Sequence, residues 1–323
     1  VKKLLRWMKY GALAVLALLV LFVLTSYHAD IPLPELEPKY LTPESSYVEL
    51  GDARVHIRQR GSGQPIILLH GSFASLHTWG AWENELSRSY QTISLDFPGH
   101  GLTGPTASRQ YSTSHYAELV SQLIDKLKLD SVYLIGNSMG GGVALTVAAR
   151  HPQQVAGLVL VDSSGPSLKQ DSTRRQGQKR PLIFRMLSIR WLANSLTSIT
   201  PRWLFSWNMK QVYADPSRIK DETINRYYDL MLREGNRQAT FDRLQQATGR
   251  GLPADSLSFI NTPTLIVWGD QDRWIPRSYG EMLSKAISGS KLVILPALGH
   301  VPMEEDPLRS IQPVTSFLSE LQR

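Results

Sequence analysis

The chain predicts an α/β fold in which a mostly parallel sheet is covered by helices on both faces and interrupted by one long helical insertion. Three observations carry that expectation. From Tyr47 onward, short apolar β-prone runs alternate with segments whose apolar residues recur at helical spacing. One run, Val132-Tyr133-Leu134-Ile135, passes through Gly136-Asn137-Ser138-Met139-Gly140 into a helix rich in small residues, 140–150. The alternation then stops near Ser164 and resumes only after Leu257.

Residues 1–29 form a separate segment. Tyr10 through Tyr27 is apolar except for Thr25 and Ser26, long enough for a membrane-spanning helix. Lys2, Lys3, Arg6 and Lys9 precede it, with no acid before Asp30. That bias predicts a single pass over residues 4–27 of the cell (inner) membrane, with a cytoplasmic N-terminus and the folded domain on the extracytoplasmic, periplasmic side. A cleaved signal peptide is the competing reading, but Ser26-Tyr27-His28-Ala29 lacks a clean small-x-small site, which favours an uncleaved anchor. Residues 30–45, with Pro32, Pro34 and Pro38, read as a stiff extended linker.

The folded domain then runs in order. Ser46–Leu50 and Ala53–Gln59 pair as a hairpin about Gly51-Asp52. Strands are expected at Pro65–Leu69, Tyr90–Leu95, Val132–Ile135, Val155–Val161, Thr264–Trp268 and Lys291–Leu295. Helices are expected at Trp79–Ser87, Tyr116–Leu127, Tyr279–Ile287 and Leu308–Leu321. The domain therefore divides into a core, 46–163 and 258–323, and a helical cap, 164–257, over the carboxyl edge of the sheet.

The net charge is +7. Much of it sits in the insertion, where residues 165–255 hold sixteen Lys/Arg against eight Asp/Glu. No nucleic-acid motif accompanies it, so a surface facing anionic headgroups is the better reading. The chain has no cysteine, which removes disulfides, a thiolate nucleophile and Cys-based zinc sites. Gly140-Gly141-Gly142 lacks dinucleotide spacing, and no metal-ligand pattern occurs, so no cofactor is expected.

A strand, a tight turn and a helix place Ser138 at an exposed apex, with the helix N-terminus aimed at the same spot. A serine hydroxyl needs a base to take its proton, and histidine suits because its pKa lies near neutrality. Eight histidines compete. His70 and His100 lie beside glycines at strand ends and read as loop braces. A carboxylate must hold the imidazole, and Asp272, Asp270 and Asp162 all follow strands.

With these residues in place the chain resembles the α/β-hydrolase superfamily, nearest its capped members: esterases, haloperoxidase-like enzymes and carbon–carbon bond hydrolases. The resemblance rests on His70-Gly71, Asp96-x-x-Gly99-x-Gly101, the turn at Ser138, Gly269-Asp270-Gln271-Asp272 and Gly299-His300-x-Pro302-x-x-Glu305, each after a strand, and covers nearly everything from Tyr47 onward. It implies an eight-stranded sheet, with Ser138 as nucleophile, His300 as base and Asp272 as the orienting acid. Asp162 occupies a position that some members use instead. It also implies an oxyanion hole from the backbone N–H groups of Met139 and Ser72, with Phe73 the alternative to Ser72. Serine at the turn argues against members that place aspartate there, the epoxide hydrolases and dehalogenases.

The implied activity is a membrane-anchored carboxylic ester hydrolase, esterase- or lipase-like, on a small-molecule or lipid ester with an apolar acyl group. A carbon–carbon bond hydrolase of the meta-cleavage-product type is the alternative. Asn137-Ser138-Met139-Gly140-Gly141 resembles that group, whereas Val301 and the His70-Gly71-Ser72 loop depart from it. A non-catalytic binding protein on the same fold is the other rival. The cap aromatics, including Phe184, Trp191, Trp203, Phe205, Trp207, Tyr213, Tyr227 and Tyr228, are expected either to pack the cap on the sheet or to line an acyl pocket.

Overall fold

The computed structural model describes residues 2–166, 198–246 and 252–322. Eight strands form one sheet: β1 Ser45–Leu50, β2 Ala53–Arg60, β3 Pro65–Leu69, β4 Gln91–Leu95, β5 Val132–Asn137, β6 Val155–Val161, β7 Thr264–Gly269 and β8 Lys291–Leu295. Their order is β1-β2-β4-β3-β5-β6-β7-β8. The β1–β2 and β2–β4 pairs are antiparallel and all the others parallel. Central parallel strands are apolar throughout because helices cover both faces. Every residue of β5 and of β7 is accordingly buried.

Alternate side chains feed two cores. Ile67, Leu69, Leu134 and Ile266 face one side with α4 (Thr113–Lys126), α5 (Met139–Arg150) and α9 (Arg277–Ala286). Ile66, Leu68, Ile135 and Val267 face the other, with Trp82 of α3 (Gly80–Leu86) and Phe317 and Leu318 of α11 (Pro307–Leu321). A short helix, α10 (Pro302–Glu305), precedes α11. In α4, Ser112 caps the N-terminus by accepting from His115 N, so this helix starts three residues before its expected first residue.

The described part of 164–257, the expected cap, holds α6 (Arg202–Lys210), α7 (Asp221–Leu232) and α8 (Asn236–Gln246). Phe184 and Trp191, and half of the sixteen Lys/Arg counted over 165–255, lie outside the described residues. Tyr213, Tyr227 and Tyr228 are buried, and Phe205 is partly so. Trp203 and Trp207 follow neither expectation. They are 66% and 56% exposed, because α6 turns Met209 and Phe205 inward instead.

At the N-terminus, α1 (Lys2–Ser26) is exposed along its described length as far as Ser26, which is buried. Its Lys3–Ser26 stretch of 24 residues, with a mean hydropathy of 2.2 in its most apolar window, is long and apolar enough to cross a membrane, a test a signal sequence also passes. The extended linker over 30–45 is not what forms. Leu33–Tyr40 is a helix, α2, with proline in its first turn where the missing N–H costs nothing. Its Leu36 is fully buried between Leu102 and Leu230. Ile31 pairs with the end of α7 through Ile31 N→Leu232 O, 2.8 Å, and Glu234 N→Ile31 O, 2.9 Å. The prolines mask an apolar i, i+3 pair, Leu33 and Leu36, that has somewhere to bury.

Candidate active site

The loop between β5 and α5 sets the site. Ser138 has φ 51° and ψ −118°, a conformation that L-residues avoid and that persists only where surroundings over-determine it. They do so here. Ser138 N donates to Val161 O at 3.1 Å. Ser138 O accepts from Gly141 N, Gly142 N and Ser164 N, and from Ser164 Oγ at 3.0 Å. At Gly140 a Cβ would sit 2.1 Å from Leu69 O, so only glycine lets the turn close on β3. At Gly71 a Cβ would sit 3.1 Å from Ser138 Cβ, which sets the loop after β3 directly against the serine.

His300 follows β8 and reaches the same edge. Its Nδ1 donates to Asp272 Oδ2 at 2.7 Å, which leaves Nε2 as the free ring nitrogen. Asp272 Oδ1 accepts from Trp274 N at 2.7 Å and Ile275 N at 3.0 Å, so both carboxylate oxygens are aimed. Asn137 joins the two sides, its Nδ2 donating to Val161 O and to His300 O at 3.0 Å. The Trp274 ring stacks on His300, centroids 5.9 Å apart. Ser138 Oγ makes no hydrogen bond among the described residues; alignment with Nε2 is left to substrate binding, as is common without ligand. The Met139, Ser72 and Phe73 N–H groups have no acceptor there either, so all three remain available as donors. Phe73 adopts φ 63°.

The structure separates the three acid candidates. Asp270 is a turn clasp that accepts from Ala297 N at 2.7 Å. Asp162 is fully buried, accepts from Gly269 N at 2.9 Å, and leaves Oδ2 without a partner. Burial, reinforced by the Asp272 charge, pushes the Asp162 carboxyl well above the usual range. Ligand atoms of Asp162, Asp272 and His300 lie within 4.8 Å of one another. A cation among them would displace the His300–Asp272 hydrogen bond.

His70 and His100 are braces, as expected. His70 Nδ1 donates to Gly71 O at 2.7 Å while Nε2 accepts from Phe97 N at 3.0 Å, so both nitrogens are spent. Burial lowers the pKa of both histidines. Asp96 accepts from His56 Nδ1, Leu76 N and Leu102 N, and thereby ties three loops together.

Three features escaped the sequence reading. His300 N donates to Val212 O at 2.8 Å, which ties the histidine loop to the cap. Glu305 secures that seam by accepting from Gly299 N, Ala214 N and Asp215 N. Arg243 of α8 stands 5.8 Å from the Phe73 ring centroid with no acid or acceptor facing it among the described residues. Burial lowers its pKa. Glu305 stood in a quoted motif, but nothing in the sequence pairs it with residues some ninety positions earlier.

A family model described as the alpha/beta hydrolase fold matches residues 64–307, and the chain belongs to that family. The chain is 28% identical over 276 residues to 2-hydroxymuconate semialdehyde hydrolase of Pseudomonas sp. strain CF600, covering 83% of this chain and 91% of that protein. A crystal structure of a serine hydrolase involved in carbazole degradation superposes with a TM-score of 0.71 at 26% identity, covering 85% of this chain and 98% of the other. An esterase from Exiguobacterium antarcticum shares the fold at 23% identity, with a TM-score of 0.72 over 85% and 99% of the two chains.

Proposed function

We propose that this chain is a membrane-anchored serine hydrolase acting on a carboxylic ester with an apolar acyl group. Ser138 Oγ gives its proton to His300 Nε2 and attacks the carbonyl carbon. Asp272 holds the imidazolium, and the Met139 and Ser72 N–H groups stabilise the oxyanion, with Phe73 as the alternative to Ser72. His300 returns the proton to the leaving alcohol, and water activated by the same histidine releases the acid. The observation that carries this reading is the His300–Asp272 hydrogen bond of 2.7 Å beside a serine held at φ 51°. Such strain at a half-buried serine beside that pair is hard to account for in a binding protein. Residues 46–163 and 258–323 serve as the core and 164–257 as the cap, while α1 anchors the chain with the domain outside the inner membrane.

A second reading, carbon–carbon bond hydrolysis, draws on the kinship with the semialdehyde hydrolase and on Arg243, a cation without an acid that suits a substrate carrying a carboxylate. One experiment separates the readings. The full chain in detergent is labelled with a fluorophosphonate probe, then assayed on a chain-length series of nitrophenyl esters and on a 2-hydroxy-6-oxo-dienoate. Labelling with turnover of esters alone supports the ester hydrolase. Faster cleavage of the dienoate supports the second reading, and no labelling at all overturns both.

A further inference from the structure

The segment that leaves α1 has no slack. Tyr27 forms an antiparallel bridge with Ile199. His28 N donates to Ser198 O at 2.9 Å and Thr200 N to Ser26 O at 2.8 Å. Arg237 of α8 fastens the junction by donating to His28 O at 2.8 Å, to Thr200 Oγ1 at 3.1 Å and to Asp30. Ser26 is buried by these contacts. The point where α1 ends is therefore also the point where the described cap resumes.

Helix α6 begins two residues past Thr200, after Pro201. Three residues span at most about 11 Å. The headgroup layer on each side of a bilayer is roughly 5–8 Å thick. Trp203 is thus within reach of the interface wherever α1 exits. Its helix is arranged accordingly. Phe205 packs edge-on to Tyr228 with centroids 5.2 Å apart, and Met209 is buried, while Trp203 and Trp207, one turn apart, stand in the open. Arg202 and Lys210 at the helix ends are exposed as well. Residues 167–197, which lead into this helix, carry seven Lys/Arg and a single acid, Asp171. Exposed tryptophan beside basic residues is the composition of a membrane interface, where the ring is buried among headgroups and cations meet anionic lipid.

We propose that α6 is an interfacial helix: Trp203 and Trp207 sit at the headgroup level of the same bilayer that α1 spans, and hold the cap against an anionic phospholipid surface. This rests on the anchor reading. The expected linker would have held the domain off the membrane; the junction at 26–28 and 198–200 docks it there instead.

The chain's lack of cysteine makes the test clean. Single cysteines replace Trp203, Trp207, Leu16 in α1 and Leu308, which is 81% exposed on α11. Each full-length variant is nitroxide-labelled in nanodiscs of phosphatidylcholine and phosphatidylglycerol. Collision with lipid-dissolved oxygen is compared with collision with a water-soluble nickel reagent. Retained fluorophosphonate labelling verifies folding. Leu16→Cys should report the acyl region, Trp203→Cys and Trp207→Cys a shift to headgroup depth, and Leu308→Cys water. If Leu16→Cys reports lipid while the two tryptophan sites match Leu308→Cys, the interfacial helix is wrong and the anchor stands. Water at Leu16→Cys overturns both. Shielding of Trp203→Cys and Trp207→Cys from both reagents would place a protein partner there and overturn the lipid assignment.

Discussion

The turn at Ser138 and the outer face of α6 are opposite ways of presenting side chains at a surface. At the turn, one residue's backbone is fixed by hydrogen bonds with β6, the first turn of α5 and the loop at Ser164, and glycine at 140 lets β3 come within contact. Nothing there depends on a large side chain except the reacting ones. On α6, a single inward face holds the helix, and two indoles are left in the open. The first arrangement fixes one backbone position from several sides. The second leaves area uncovered, which is how a surface waits for a neighbour. Precision is thus concentrated at the sheet edge, and adaptability in the cap.

The sharpest way to break that contrast is to remove the fixed hydroxyl. Ser138→Ala should lower ester hydrolysis by on the order of 10^4-fold or more and abolish probe labelling, with an unchanged melting temperature. Retention of a sizeable share of the rate would move the nucleophile elsewhere. Next comes the acid. Asp272→Asn should approach His300→Ala in severity, because an imidazole without its carboxylate is misoriented. A mild loss there with a severe one at Asp162 would transfer the role.

On α2, which packs beside the cap, Leu36→Ala should cost about 2–5 kcal/mol in denaturant unfolding, since Leu36 is fully buried. The rate on a short ester should hardly change, because α2 touches no reacting group. A loss of rate equal to that of Asp272→Asn would show that the two regions are not separable. Glu305→Gln places an amide where three N–H groups converge and should cost about 1–3 kcal/mol. Its kcat should fall more than its KM rises, because the histidine loop loosens.

The smallest effect is read against pH. Asp162 has a folded pKa above its unfolded value, so the folded state holds the extra proton. That contribution is present at low pH and is lost as pH rises from about 4 through the raised value. Asp162→Asn keeps the acceptor for Gly269 N and cannot ionise. Its melting temperature relative to the parent should therefore climb with pH above about 4, with activity little changed. A constant offset across pH would mean that Asp162 is ionised in the folded protein.

Most of the sheet was legible because buried parallel strands read as unbroken apolar runs, as in Val155–Val161 and Thr264–Trp268. Ser138, His300 and Asp272 were singled out by the resemblance to the family's motifs, and the structure brings the latter two into a hydrogen bond. What stayed hidden depended on long-range partners. Pro32, Pro34 and Pro38 suggested a linker, since local propensity cannot register that Leu36 finds Leu102 and Leu230. Trp203 and Trp207 suggested a core or a pocket, since spacing identifies a shared face and not what lies opposite. Asp162 and Asp272 looked like rivals for one role, and only the structure shows that they lie together, with the Asp162 carboxyl raised by burial and by the Asp272 charge.

The bond from His300 N to Val212 O would give a moving cap a say in timing. Were segment 164–257 to lift to admit substrate, it would drag on the loop that carries His300, and admission and proton transfer would not proceed together. During each opening, an acyl group held on Ser138 would face water with no partner to deprotonate it. The covalent intermediate would then survive until the roof reseats, and its lifetime would measure how often the cap breathes.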